Sequence, residues 1–586
     1  MIRTTLRAAM FWLVVCGLAA TAAAQSSNPV GKDNPCAYKD IDPKLYGMQP
    51  FQNPPEIVSS KGSLNTTMVV QYTENTKLGG CPVTLRTYNG KLVGPTLRVK
   101  PGDVMNILLD NQLPKETPNE VQKQYEQENQ NAVLSMTPFS FNTTNLHYHG
   151  LHVSPTGNSD NVLLAIPPRN KFQYEVKLPA NHPSGAYWYH AHTHGSTSIQ
   201  VGSGMAGALI IEDDPAKIPQ SLREANQHEK VLVFQTILYN TEGRLDNITT
   251  LFPGPGDPTP QNCAQPGNAG TWPCAKRRVT INGQIVPIIS MRPGEVQRWR
   301  MIDTSFRESI MVRLEGHALH EIALDGIYLG RIDTWYPDQP IDLEAGYRSD
   351  VLVQAGKPGR YNLIDAGTPP TRSLRAVTER ENLLAIVEVC DPAKDSACVA
   401  MDMKLPTSAE MAPLAPFPGV DLSKTAVGVQ QATFKLGTDM GSVPGVCQQN
   451  PNAKDCKQRN YFQINFQAFN ESHVRQLRLG ETEQWTLTTV GDPSNVPNAI
   501  PPLPHVFHIH VNPFQFSRTG PDGNPEMVWK DTLLIPGGAT LNIFTRYLDY
   551  IGKFVMHCHI LDHEDLGMME VDEVVDEASG VKTHHH

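Results

Sequence analysis

Lys100-Pro101-Gly102-Asp103-Val104 leads into Met105-Asn106-Ile107-Leu108-Leu109, and the same design returns twice further along the chain. Arg292-Pro293-Gly294-Glu295-Val296 leads into Gln297-Arg298-Trp299-Arg300-Met301, and Arg478-Leu479-Gly480-Glu481-Thr482 into Glu483-Gln484-Trp485-Thr486-Leu487. Each is a glycine-acid turn that opens an alternating strand. The glycines stand 192 and then 186 residues apart, about one domain each, so three copies of a β-domain are the natural reading. Strand-like runs elsewhere are short and bounded by turns, as in Thr67–Tyr72, Ala208–Ile211, Val351–Gln354 and Leu384–Val389. With 48 prolines, 44 glycines and few helical stretches, the chain reads as all-β, built from consecutive Greek-key β-sandwich domains.

A chain of 586 residues is too long for a single core. Residues 1–24 read as an export signal: Arg3 and Arg7 precede the apolar run Phe11 to Leu18, and Ala22-Ala23-Ala24 precedes Gln25 as a cleavage site. That run is too short to span a bilayer, so an exported, periplasmic or secreted chain with no membrane association is expected. Domains are expected at 25–215, 216–395 and 426–580, with a linker over 396–425. Pro114 to Asn131 reads as a polar surface insertion and Phe252 to Pro273 as a long loop; residues 581–586, ending in three histidines, read as a tag remnant. The formal charge of −10 argues against a nucleic-acid partner. A monomer is expected.

Nine cysteines follow the signal. Setting Cys558 aside leaves eight, enough for four disulfides in an oxidising compartment. Cys263/Cys274, Cys390/Cys398 and Cys447/Cys456 are close neighbours, which leaves Cys36 for Cys81; spacing alone does not fix this connectivity.

Cys558 itself sits in His557-Cys558-His559, with His563 and Met568 just beyond. On an extended strand the thiolate points one way and both flanking imidazoles the other. Thiolate, imidazole and a distant thioether suit a blue-copper site. Ten histidines fall in four clusters: His147-Tyr148-His149, His190-Ala191-His192, His505-Val506-Phe507-His508-Ile509-His510, and the C-terminal group. A His-x-His pair in a strand projects both rings from one face. Zinc suits any one pair, but eight imidazoles exceed the need of one tetrahedral ion and suit a cluster of several ions.

These four motifs, in this order and with these spacings, resemble the copper signatures of three-domain multicopper oxidases, the family that includes laccases, bilirubin oxidases and cuprous oxidases. Asn89-Gly90, Gly94-Pro95 and Asn282-Gly283 also fit, and the likeness covers essentially the whole mature chain. It implies cupredoxin-like domains and four copper ions. By matching motif, His505, Cys558 and His563, with Met568 as weak axial ligand, would hold the type 1 copper. His147 and His508 would hold the type 2 copper. His149, His190 and His559 would hold one type 3 copper, and His192, His510 and His557 the other. The middle domain would then be a spacer and part of the substrate wall.

The resemblance further implies that His563 is the ligand edge nearest the reductant. Asp160, thirteen residues after His147, and Glu564, next to His563, match acids that handle protons in similar enzymes. Val506 stands where a proline is common, and His152 and His194 share the parity of neighbouring ligands but lie outside the expected set. The implied activity is laccase-like: small-molecule phenols and aromatic amines are oxidised one electron at a time and O2 is reduced to water. The alternative is a metal oxidase acting on Cu(I) or Mn(II). Against it, Met401, Met403, Met411 and Met440 are sparse and no long Met-rich insert is present. A non-catalytic copper carrier needs only the Cys558 set and leaves the other histidines unexplained.

Overall fold

The computed structural model describes residues 47–116, 140–240, 242–245, 276–307, 309–369, 372–373, 381–417, 427–437, 461–492 and 501–576, with Cys36 and Lys44. The expected signal, most of the polar insertion, the Phe252–Pro273 loop, Cys263/Cys274, Cys447/Cys456, Met440 and the tag remnant lie outside the described residues.

The three glycine-acid turns have equivalent places in the fold. Val104–Asn111, Val296–Asp303 and Thr482–Val490 each lie inside a sheet, parallel to an earlier strand (Ser63–Tyr72, Lys230–Tyr239, Val427–Gly437). On its other side each pairs antiparallel with a later one (Lys171–Lys177, Arg348–Gln354, Thr540–Arg546). The turn glycines have φ of +88°, +77° and +85°, a conformation open to glycine at little cost. The acid's N–H closes each turn onto the carbonyl three residues back, at 3.0, 3.0 and 3.2 Å.

A second sheet covers each of these. The first domain pairs a four-stranded sheet with a five-stranded one; the second and third each pair a six-stranded sheet with a five-stranded one. The result is three consecutive cupredoxin-like β-sandwiches. Apolar residues alternate inward along the strands, as Met105, Ile107 and Leu109 do beside Leu64, Met68 and Val70. Cys36–Cys81 and Cys390–Cys398 are disulfide-bonded, and Cys558 is free and buried.

Within the expected linker, Thr407 and Glu410 form a capping box that starts the short helix Ser408–Met411. Met403 and Met411 pack with Ile218, Leu222, Val296 and Leu352 of the middle domain. These sulfurs fill a core, as methionine readily does.

Candidate metal centre

Two strand pairings assemble the histidines. His147–His149 runs antiparallel to Gly185–His190, with His147 opposite His190 and His149 opposite Trp188. His505–Ile509 runs antiparallel to Gly552–Cys558, with His508 opposite His557 and Phe507 opposite Cys558. Parity in these strands, with His192, His510 and His559 just past the strand ends, brings four imidazoles of the first domain and four of the third toward each other. His192 Nε2 lies 3.1 Å from His557 Nε2, and His510 Nε2 lies 3.3 Å from the same atom. His149 Nδ1 lies 3.2 Å from His559 Nε2. His147 stacks on His510 and His149 on His508, each with ring centroids 3.9 Å apart. All eight rings are buried.

Neutral imidazoles cannot all satisfy one another at such distances, and the remaining hydrogen bonds show which nitrogens are left over. His147 Nδ1–H donates to Asp160 at 3.0 Å, His190 Nδ1–H to the Ala191 carbonyl at 2.9 Å, and His508 Nδ1–H to the Asp531 carbonyl at 2.8 Å. Each tautomer leaves a buried Nε2 lone pair with no hydrogen-bond partner. Orphaned acceptors of this kind are costly inside a protein unless a cation takes them. Burial, with neighbouring imidazoles, holds His147, His149, His190, His508, His510 and His559 well below the usual histidine range, so all six rings are neutral, the form in which an imidazole can take a metal ion.

On the other face of the Cys558 strand, Sγ lies 3.7 Å from His505 Nδ1 and 3.7 Å from His563 Nδ1, and those two nitrogens are 3.1 Å apart. Cys558 N–H donates to the Met568 carbonyl at 3.0 Å, which folds Met568 back beside the cysteine. Burial pushes the Cys558 thiol up to about 12, so the thiolate needs a bound cation. His563 is only 1% exposed: Phe462 stacks on it at 4.2 Å, and the middle-domain residue Phe306 accepts the Leu561 N–H at 2.9 Å. The ring expected to lie nearest the reductant is therefore buried.

Asp160 also accepts the Tyr148 N–H at 3.0 Å, and burial raises its carboxyl to about 8. Glu564 lies between the two histidine faces, 3.5 Å from His192 Nδ1 and 3.1 Å from His557 Nδ1. The Thr197 hydroxyl donates to it, and burial raises it to about 7. Both acids thus stand beside the cluster near the pKa that proton transfer favours.

Several residues at the site carry no signal in the sequence. Asp565 accepts from Gly195 N, Thr197 N, Ser198 N and Ser198 Oγ, at 2.7, 3.2, 2.8 and 2.6 Å, and so clamps the third domain onto the first. Asp531 faces His149 Nε2 at 3.2 Å. The middle domain is more than a spacer: Gly346 has φ +92°, and a Cβ there would meet His559 Nε2 at 3.1 Å and His149 Cε1 at 3.2 Å. His152 and His194 stay outside the cluster. His152 links the first and third domains through the Val511 carbonyl and Asp549, and His194 packs on Phe469 at 4.6 Å.

Three β-sandwiches, with a thiolate set on one face of the Cys558 strand and His557 and His559 meeting six further imidazoles on the other, give donor sets that suit copper. Family models described as multicopper oxidase match residues 125–216, 256–382 and 445–577, and the chain belongs to that family. A laccase of Bacillus subtilis (strain 168) is 24% identical over 541 residues, covering 84% of this chain and 91% of that protein. A multicopper oxidase of Staphylococcus aureus is 23% identical, covering 82% of each chain. Among solved structures, a multicopper oxidase from Campylobacter jejuni described as a metallo-oxidase superposes with a TM-score of 0.66 at 21% identity, covering 93% of this chain and 99% of that one. A laccase-like multi-copper oxidase from Ochrobactrum sp. gives 0.62 at 22% identity, covering 90% and 100%.

Proposed function

We propose that the chain is a laccase-like oxidase that binds four copper ions and couples oxidation of phenols and aromatic amines to reduction of O2 to water. His505, Cys558, His563 and Met568 would hold the type 1 copper. His147 and His508 would hold the type 2 copper, His149, His190 and His559 one type 3 copper, and His192, His510 and His557 the other. The single observation that carries this reading is the set of buried Nε2 atoms on His147, His190 and His508, which have no hydrogen-bond partner while each ring's other nitrogen is anchored. Bound copper would supply the one-electron couples, so that four electrons taken singly from four reductant molecules would, with four protons, convert O2 to two waters.

The chain's own residues do the rest. Cys558 and its neighbours join the two sites through the fewest covalent bonds, since His557 and His559 are adjacent to it in sequence. Asp160 fixes the His147 tautomer through Nδ1 and is our choice for a proton carrier on that side of the cluster; Glu564 is the choice on the His192/His557 side. Burial excludes bulk water from all eight rings, which protects partly reduced oxygen from side reactions. An exported protein is consistent with the two disulfides, and no helix among the described residues is long and apolar enough to cross a membrane.

One observation favours the second reading, oxidation of Cu(I) or Mn(II): the covering of His563 leaves little of its edge for a flat phenol to touch. Oxygen uptake by the copper-loaded protein, measured with a phenol, an aromatic amine, Cu(I) and Mn(II), separates the two. Turnover of phenols at rates well above those of the metal ions supports the laccase reading; the reverse order replaces it. Fewer than about three coppers per chain in the loaded protein would remove both, because a trinuclear set alone needs that many.

A further inference from the structure

We infer that Arg348, a residue of the middle domain, is a positioning residue of the histidine cluster that acts through Asp531. The inference rests on the ligand reading above. Arg348 opens the strand Arg348–Gln354 and is fully buried. Its guanidinium uses its fork on one carboxylate: Nη1 donates to Asp531 Oδ1 at 2.7 Å and Nη2 to Asp531 Oδ2 at 2.5 Å. The remaining donors go to backbone carbonyls of Gly346 at 3.1 Å, Asp325 at 2.9 Å and Ala186 at 3.3 Å. One side chain therefore ties all three domains together at the edge of the cluster.

Asp531 passes this constraint to two imidazoles. Its Oδ1 faces His149 Nε2 at 3.2 Å, and its main-chain carbonyl accepts the His508 Nδ1–H at 2.8 Å. The Thr532 hydroxyl donates to the same Oδ1 at 2.7 Å. His149 is thereby anchored at Nε2, which directs Nδ1 toward His559, while His508 is anchored at Nδ1, which directs Nε2 into the cluster. One ring comes from the first domain and one from the third, and they stack at 3.9 Å. Partners of this kind set ligand tautomer and orientation.

Two further features fit a built device. The nitrogens of His149 and His508 and an Asp531 oxygen lie within 4.8 Å of one another, close enough to hold an ion, yet both carboxylate oxygens are already engaged by Arg348. The carboxylate is thus committed to orienting the rings. Directly after His149, Gly150 leaves room for the pair: a Cβ there would lie 2.2 Å from Arg348 Nη2 and 2.7 Å from Asp531 Oδ2. Lysine cannot reproduce a planar two-point grip, so the positive charge alone does not replace Arg348.

The test uses the full-length, copper-loaded protein and compares wild type with Arg348→Met, Arg348→Lys and Asp531→Asn. Each is titrated with a copper chelator while the blue absorption of the Cys558 site, the type 2 paramagnetic signal and the type 3 near-ultraviolet band are followed separately. The expected result is a loss of type 2 and type 3 copper at about 10- to 100-fold lower chelator concentration in Arg348→Met, with the blue site unchanged. Arg348→Lys should fall between, and Arg348→Met combined with Asp531→Asn should add little to either alone, as residues acting as one unit do. Variants that match wild type in all three signals overturn the inference while leaving the ligand reading intact. A wild-type protein that binds blue copper but shows no type 2 or type 3 signal overturns the ligand reading and the inference together. Should Arg348→Met lose the blue absorption through misfolding, Asp531→Asn decides: selective loss of cluster copper supports the inference, and unchanged retention overturns it.

Discussion

Gly346→Ala is the sharpest probe of how closely the middle domain approaches the cluster. Two separable costs follow from the backbone. Gly346 has φ +92°, where an L-residue pays about 1–2 kcal/mol. That strain is present with or without copper, so it lowers the unfolding midpoint of both forms and cancels in copper affinity. The added methyl would also lie 3.1 Å from His559 Cδ2 and Nε2 and 3.2 Å from His149 Cε1. These rings are buried and already anchored, so they must shift by a few tenths of an ångström, an overpacking cost of about 1–3 kcal/mol. His559 Nε2 is the atom that approaches His149 Nδ1 at 3.2 Å, so this second cost falls on the pair proposed to share a type 3 copper. It should appear as about 5- to 150-fold weaker copper retention there, by the usual tenfold per 1.4 kcal/mol. Chelator titration followed in the type 3 band reads the second cost, and thermal unfolding of the copper-free protein reads the first. The Cys558 site, on the opposite face of its strand, is the internal control. An alanine variant with wild-type copper retention and an unmoved midpoint would refute the close approach and the reasoning built on it.

Asp160→Asn removes the carboxylate that holds the His147 tautomer, so type 2 copper should be held about 10- to 100-fold more weakly. At matched copper content, oxygen uptake should slow while anaerobic reduction of the blue site does not; equal slowing of both contradicts the proposed proton role. Met568→Leu should raise the type 1 potential and keep the blue absorption, because the axial ligand tunes that potential. A redox titration giving an unchanged or lower potential counts against Met568 as the ligand. Asp565→Ala strips the acceptor from three backbone N–H groups and a hydroxyl across the first and third domains. With about 1–3 kcal/mol for a buried donor left unpaired, the unfolding midpoint should drop clearly and proteolysis between these domains should quicken. Asp565→Asn, which keeps an oxygen in place, should cost less, and equal effects from both would argue against the clamp.

Some of this was legible because it depends on periodicity alone. The glycine-acid turns at Gly102, Gly294 and Gly480 announced three equivalent strands, since a positive φ followed by inward alternation has few other uses. Parity along a strand likewise separated Cys558 from His557 and His559 and put both rings of each His-x-His pair on one face. Disulfides were readable only in part: Cys36–Cys81 and Cys390–Cys398 are formed as expected, although spacing had no power to require them.

The chain order of residues therefore determined the β-sandwich class, the repeat and the chemical types gathered for copper. It could not reveal which distant side chains brace those ligands. Arg348 grips Asp531 across 183 positions, Asp531 faces His149 across 382, and Asp565 reaches Gly195 across 370. Nor could it show that Phe462 stacks on His563 or that Phe306 of the middle domain accepts the Leu561 N–H. An isolated Arg, Asp or Gly has no local pattern to betray it, because its meaning comes from what folding places within a few ångströms. Only the packing of three domains on one another decides that.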